Sequence, residues 1–317
     1  MSGGKTETSP ALPLPPDGSF LVIDKPRGPS SHQVTAWVRD LLGVPKAGHS
    51  GTLDPAVSGV LVVGFGKALR LLPLLLDFPK RYVGLVQLHG EVSNEELARV
   101  ISEFHGEIYQ TPPVRSAVRR ERRVRRIHRL ALLERTGPLA LIDVTCESGT
   151  YVRTLAVDLG EALGVGAHLA ELRRVESNPF TEASAITLAQ LSDAVESARQ
   201  GNRAPWEAVL HPPSDVWKRV PGVVIKDTAV DAIAHGADLA AAGVLKVTMP
   251  FRRGAHVALV TRADELVATG RALVDSTQLT SEPHGWVIDA ERVFMPQGTY
   301  PAGWKKTTGT KTATDGS

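Results

Sequence analysis

Apolar residues recur along this chain at helical and at strand spacings, and they mark out its elements. Val34, Trp37, Val38, Leu41 and Leu42 stand at i, i+3, i+4, i+7 and i+8, which gives a helix one apolar face. Ser30 and Gln33 precede them with capping-box spacing, and Gly43 supplies a stop. A second capping-box spacing, Ser93 to Glu96, opens a helix marked by Leu97, Val100, Ile101 and Phe104. Residues 150–164 read as a helix ending near Gly164, and Thr187 caps one that runs to about Arg199. Strands are expected at 20–24, 59–65, 81–90 and 140–148, the second as a continuous buried run.

The texture changes near residue 211, where "HPPSD" reads as a linker. From 216 to 294, short Val/Leu/Ile runs alternate with glycine turns, which predicts a small β-rich domain. The expected organisation is α+β, with a main domain over 19–215 and a second over 216–301. Residues 1–18 are rich in Pro, Gly, Ser and Thr and 302–317 in Lys, Thr and Gly, so both ends are expected to be disordered.

Composition narrows the class. The 317 residues suffice for about two domains, and 42% are hydrophobic. No apolar run approaches the roughly 20 residues that cross a bilayer. The first residues lack an apolar signal core, so a cytosolic, cytoplasmic protein is expected. Cys146 is the single cysteine, which excludes an internal disulfide and a cysteine-based zinc site. Net charge is only +2, but residues 114–129, "VRSAVRRERRVRRIHR", hold eight arginines against one acid, Glu121. A solvated face would mix signs and use lysine; arginine at this density favours phosphate, because its planar fork meets two oxygens at once. Contact with RNA or DNA is expected there.

The candidate chemistry is sparse. "GFGKALR" (64–70) lacks the glycine and Lys-Ser/Thr spacing of a phosphate loop. The chain has no GxSxG and no helical HExxH, and its ten histidines show no metal-ligand spacing, so a cofactor-free site is expected. "GHSGTLDP" (48–55) sets Asp54 before a proline, which favours extended backbone, behind glycines that let a ligand approach closely. On spacing alone this is an Asp-Pro turn.

The surrounding motifs change that reading. "GHSGTLDPAVSGVLVVGFGKA" resembles the catalytic motif of the TruB/dyskerin family of pseudouridine synthases. "DKPRGPSS" (24–31), "KRY" (80–82), "YQTPPVRSAV" (109–118), "ESGTYVRTLAVDLG" (147–160) and "LRRVESNPF" (172–180) resemble further family motifs, in the family's order. "HGADLAAAGV", "RRGAHVALV", "ELVATGRA" and "ERVFM" resemble a PUA domain, and the wording of the motifs is nearest the archaeal branch. Asn178 stands where the family usually has Gly before Pro-Phe, and Leu69 and Arg70 replace a usual Thr-Lys.

The resemblance implies a catalytic domain with a central mixed or antiparallel sheet and flanking helices, followed by PUA. It implies isomerisation of uridine to pseudouridine, in the TΨC loop of tRNA, in rRNA guided by H/ACA RNA, or both. Asp54 would start the reaction, Arg153 would pair with it, and Tyr82 would stack on the target base. His49, Leu172 and Tyr151 would line the substrate pocket, with Lys25 and Pro26 as supports beneath it. Arg115, Arg119, Arg120, Arg122 and Arg123 would hold the RNA backbone. The implied partners are guide RNA, a small zinc-ribbon protein, a small β-barrel protein and a kink-turn-binding protein, with no membrane. A non-catalytic RNA-binding scaffold is the alternative, and the intact Asp54, Tyr82 and Arg153 argue against it; a stand-alone bacterial-type tRNA enzyme is a further one.

Overall fold

The computed structural model describes residues 11–111, 121–279 and 285–301. The chain divides between Val216 and Trp217 into two compact units.

Among the described residues the first unit is built on nine strands: β1 (Ser19–Lys25), β2 (Ala47–Ser50), β3 (Ser58–Phe65), β4 (Lys80–Leu88), β5 (Gly106–Gln110), β6 (Arg123–Thr136), β7 (Leu139–Cys146), β8 (Ala167–Ser177) and β9 (Phe180–Thr181). They form one mixed sheet in the order β1-β3-β8-β4-β7-β6-β5, with β2 on β3 and β9 on β8. All these pairings are antiparallel except β3 with β8. Four longer helices pack beside it: α1 (Ser31–Leu42), α2 (Asn94–Glu103), α3 (Val152–Ala162) and α4 (Leu188–Arg199).

The apolar pattern explains this packing. Strands β1 and β3 are apolar at successive positions because both of their faces are covered. Leu21, Ile23, Leu61 and Val63 meet Val34, Val38 and Leu42 of α1 and Leu191 and Val195 of α4. Farther along the sheet, Val86, Ile142 and Val144 meet Leu97 and Val100 of α2 and Leu155 and Leu159 of α3. Ser30 and Ser93 cap α1 and α2 by accepting from Gln33 N and Glu96 N, and Thr187 with Gln190 makes a full capping box on α4.

Two details differ from the pattern. Trp37 is exposed, because the buried stripe of α1 runs through Ser31, Val34, Thr35, Val38 and Leu42 and leaves Trp37 on its flank. Residues 11–18 are tied down rather than disordered: Trp206 Nε1 donates to Pro13 O at 2.9 Å, and Leu12 packs on the core. The remaining residues of the two expected tails, 1–10 and 302–317, lie outside the described residues.

Among the described residues the second unit has six strands: β10 (Gly222–Ile225), β11 (Leu239–Ala240), β12 (Val244–Val247), β13 (His256–Val260), β14 (Leu266–Ala272) and β15 (Trp286–Val293). Their order is β11-β15-β14-β13-β10-β12. Helix α5 (Asp227–Ala234) inserts Val230 and Ile233 into a core with Val223, Val257, Leu259, Val267 and Ile288. Among the described residues, no helix is long and apolar enough to cross a membrane.

Candidate active site

The sheet of the first unit splits where its conspicuous loop emerges. At one end of β3, β2 pairs along Val62–Phe65; at the other, β8 pairs only at Ser58 and Gly59. Residues 51–57 leave the sheet in the gap between those two neighbours. Gly51 turns there with φ +69°, and a Cβ on it would lie 3.2 Å from an Arg174 nitrogen, so glycine answers both conformation and space.

The loop is held on both sides of Asp54. Ser31 Oγ accepts from Leu53 N at 2.8 Å and donates to Leu53 O at 3.0 Å. Pro55 O accepts from Gly28 N at 2.8 Å and from Lys25 Nζ at 3.4 Å. Lys25 is fully buried, and its ammonium also donates to the carbonyls of Pro26 and Pro29. Burial, then the charge of Arg174, lowers its pKa. The "DKPRGPSS" segment is thus the seat on which the Asp54 loop rests.

Asp54 forms an ion pair with Arg153, which lies in the first turn of α3. Both line the mouth of a cavity of about 270 Å³, together with Tyr82 of β4, Leu172 of β8 and Tyr151. Tyr82, Leu172 and Arg174 share one face, because Tyr82 pairs with Arg174 and Gly84 with Leu172 across β4 and β8. Gly84 leaves room there: a Cβ on it would sit 3.2 Å from Leu169 and Leu172 methyls. Tyr151 is fixed by its backbone. The buried Gln110 side chain accepts from Tyr151 N at 2.9 Å and donates to Tyr151 O at 3.1 Å. Asp54, Arg153, Tyr82, Leu172 and Tyr151 are thus brought together.

His49 is not brought with them. It lines a different cavity with His32, Thr35 and Arg39. Its ring meets His32 edge-on at 4.8 Å between centroids. Burial, then the charges of His32 and Arg174, lowers its pKa to about 4.

The cavity beside Asp54 is also lined by two basic side chains that escape a reading of the sequence. Lys80 and Arg174 both line it, and both are buried. Lys80 Nζ donates to the carbonyls of Leu75 and Phe78, each at 2.6 Å. Burial, then Arg174, lowers its pKa to about 7. Arg174 Nε donates to Val60 O at 2.8 Å and Nη2 to Gly51 O at 2.9 Å, and Arg174 stands directly opposite Tyr82 across β4 and β8. Burial raises the Tyr82 phenol, and Arg174 opposes that. The usable signal was alternation, since Lys80 and Tyr82 are two residues apart on one strand.

The arginine stretch becomes β6. Arg115, Arg119 and Arg120 lie outside the described residues. Arg122 stacks over the Tyr109 ring at 4.3 Å, and Arg123 opposes Gln110 across β5 and β6. The later arginines serve the fold: Arg126 pairs with Glu107, Arg125 donates to Gly149 O, and Arg129 pairs with the buried Asp143. Burial alone would raise the Asp143 carboxyl, but the hydrogen bonds and charges of Arg81 and Arg129 hold it below the ordinary carboxylate range.

Comparison with known proteins agrees with this architecture. The model of the TruB family pseudouridylate synthase N-terminal domain matches residues 39–152. That of the tRNA pseudouridylate synthase B C-terminal domain matches 153–215, and the PUA domain matches 221–294. The chain is 48% identical over 289 residues to a probable tRNA pseudouridine synthase B of Pyrobaculum arsenaticum, covering 91% of this chain and 87% of that one. It is 44% identical over 314 residues to one of Methanopyrus kandleri, covering 96% and 93%. A crystal structure of a Cbf5-Nop10-Gar1 complex aligns with TM-score 0.85 at 43% identity, over 93% of each chain. The structure of an H/ACA RNP bound to a substrate RNA containing 2'-deoxyuridine aligns with TM-score 0.80 at 41% identity, over 94% of each. The chain therefore belongs to the TruB family: it is an RNA pseudouridine synthase, an isomerase, with a C-terminal PUA domain.

Proposed function

We propose that Asp54 starts the isomerisation of uridine and that Arg153 holds it charged and aimed. The carrying observation is their ion pair at the mouth of the cavity that contains Tyr82 and Leu172. The reaction detaches uracil from ribose and rejoins it through carbon, and an ionised carboxylate at the sugar is what its first step needs. A cation beside a carboxylate favours the anion and fixes its direction. Tyr82 offers an aromatic face to a base withdrawn from its stack, which offsets part of the cost of flipping. Leu172 and Tyr151 complete the wall, and Arg122 and Arg123 approach the RNA backbone at the start of β6.

The substrates we infer are the TΨC-loop uridine of tRNA and uridines of rRNA selected by H/ACA guide RNA, in the cytoplasm. The names of the relatives support the first and the complexes in which similar chains were solved support the second. The partners would be the guide RNA and small zinc-ribbon, β-barrel and kink-turn-binding proteins, with the second unit on the guide. The test is Asp54→Asn, which keeps shape and removes charge. Pseudouridine formation should fall by roughly 10⁴-fold or more, with the Kd for RNA unchanged. Turnover near the wild-type rate would overturn the assignment.

A further inference from the structure

Arg174 is a buried cation that the reaction as described does not use. Its side chain is sealed from solvent (1% exposed), yet among the described residues its hydrogen bonds end on oxygens without formal charge. Those oxygens are the Val60 carbonyl of β3 and the Gly51 carbonyl of the Asp54 loop, and Arg174 stands directly opposite Tyr82 of β4 on the neighbouring strand. Lys80, a second buried cation, lies close enough for each to oppose the charge of the other. Burying a charge against dipoles alone is unfavourable, and an apolar chain of similar length would fill the same wall at less cost. Arginine brings what an apolar chain cannot, a rigid planar fork that fixes several acceptors at set angles.

Arg174 thus adjoins parts of the site that are placed separately from one another. Tyr82 is placed by the β4–β8 ladder, whereas the loop carrying Asp54 departs from β2 and rests on Ser31 and Lys25. Asp54 follows Gly51 by three residues. A single guanidinium therefore spans the group that faces the base and the loop that faces the sugar.

We propose that Arg174 is a positioning residue for the isomerisation, setting the Tyr82 ring and the Asp54 loop at one fixed separation. This rests on the roles given above to Asp54 and Tyr82. It predicts that Arg174 governs the chemical step rather than RNA affinity, because its atoms lie beneath the site. Misplacing a reacting group by about an ångström costs up to a hundredfold in rate.

The experiment measures the single-turnover rate of pseudouridine formation, the Kd for the same RNA and the melting temperature. It uses full-length Arg174→Lys, Arg174→Met, Tyr82→Phe and the Arg174→Lys/Tyr82→Phe pair. Arg174→Lys and Arg174→Met should slow the chemical step by roughly tenfold to a hundredfold, with Kd changed less than about twofold. Arg174→Lys should do much less harm once Tyr82 lacks its hydroxyl, since contacting residues are not additive. If Arg174→Met fails to fold, Arg174→Lys and the pair carry the test. A wild-type rate per folded molecule in Arg174→Lys, or effects that simply multiply in the pair, would overturn the proposal. Asp54→Asn separates the two failures. An inactive Asp54→Asn beside a normal Arg174→Lys refutes Arg174 alone, and an active Asp54→Asn refutes the site on which it depends.

Discussion

Asp54 and Arg153 meet as an ion pair in which each side chain keeps nearly half its surface open to solvent, 47% and 45%. One comes from a loop pinned on both flanks, the other from the first turn of α3, whose preceding Tyr151 is clamped by Gln110. Exposed pairs add about 0–1 kcal/mol to stability. Arg153→Met should therefore shift unfolding free energy by no more than that, while the rate of isomerisation falls by roughly a hundredfold or more. Urea unfolding beside a single-turnover assay separates the two. A large loss of stability with unchanged activity per folded molecule would make Arg153 a scaffold residue.

Arginines of the basic stretch divide by partner. Arg122 lies over Tyr109, and Arg123 begins β6, whereas Arg129 is committed to Asp143. If the first two hold phosphate, Arg122→Ala/Arg123→Ala should reduce the log–log salt slope of RNA binding by roughly 0.7 per lost contact on single-stranded RNA. Arg129→Ala should leave the slope unchanged. A salt titration that gives both variants the same slope as the wild type would show that Arg122 and Arg123 do not face the RNA.

Asp143 gives the sheet a different dependence. Its carboxylate is 1% exposed and takes two bonds from Arg81, Nε at 2.8 Å and Nη2 at 3.0 Å, besides the pair with Arg129. Arg81→Met would leave a buried carboxylate with half its partners, which costs about 1–3 kcal/mol. Denaturant unfolding should show that loss, and Arg81→Met/Asp143→Leu should recover part of it. Failure of the double variant to recover any would mean that Arg81 stabilises the sheet by other contacts.

The parts legible in sequence were those set by local rules. Ser30, Ser93 and Thr187 announce helices because a capping oxygen acts within three residues. Val34, Val38 and Leu42 announce a buried face, but Trp37 on the same wheel is exposed, since the width of a stripe is decided by what packs against it. The strand β6 was hidden, because of its first eight positions only Ile127 is buried and four are arginines. Asp54, Arg153 and Tyr82 were legible only through resemblance to a family; nothing local distinguishes Asp54-Pro55 from a turn. Arg174 and Gln110 stayed unread because their partners are backbone carbonyls, or a backbone amide, distant in the chain, and Lys80 because its burial against the nearby Leu75 and Phe78 carbonyls leaves no mark in the sequence. Composition assigns cations to the surface, and only the fold reveals the exceptions.

His49 turns its displacement from the main cavity into a measurable quantity. Among the described residues its Nδ1 is buried without a hydrogen-bond partner, and the facing groups, His32, Arg39 and Arg174, add no negative charge. The folded ring therefore resists protonation down to about pH 4, whereas the unfolded ring takes its proton near the ordinary histidine value. Between those values the unfolded chain binds more protons, so stability rises with pH across the window and is lost as pH falls through it. The loss can reach on the order of 2–3 kcal/mol for a shift of this size. His49→Gln should abolish that part of the acid limb, so its stability relative to wild type should be higher near pH 4.5 than near pH 7.5. Urea unfolding at the two pH values decides it. Parallel losses in variant and wild type would mean that protonation of His49 does not drive the acid instability and that its ring has another way to meet a proton in the folded state.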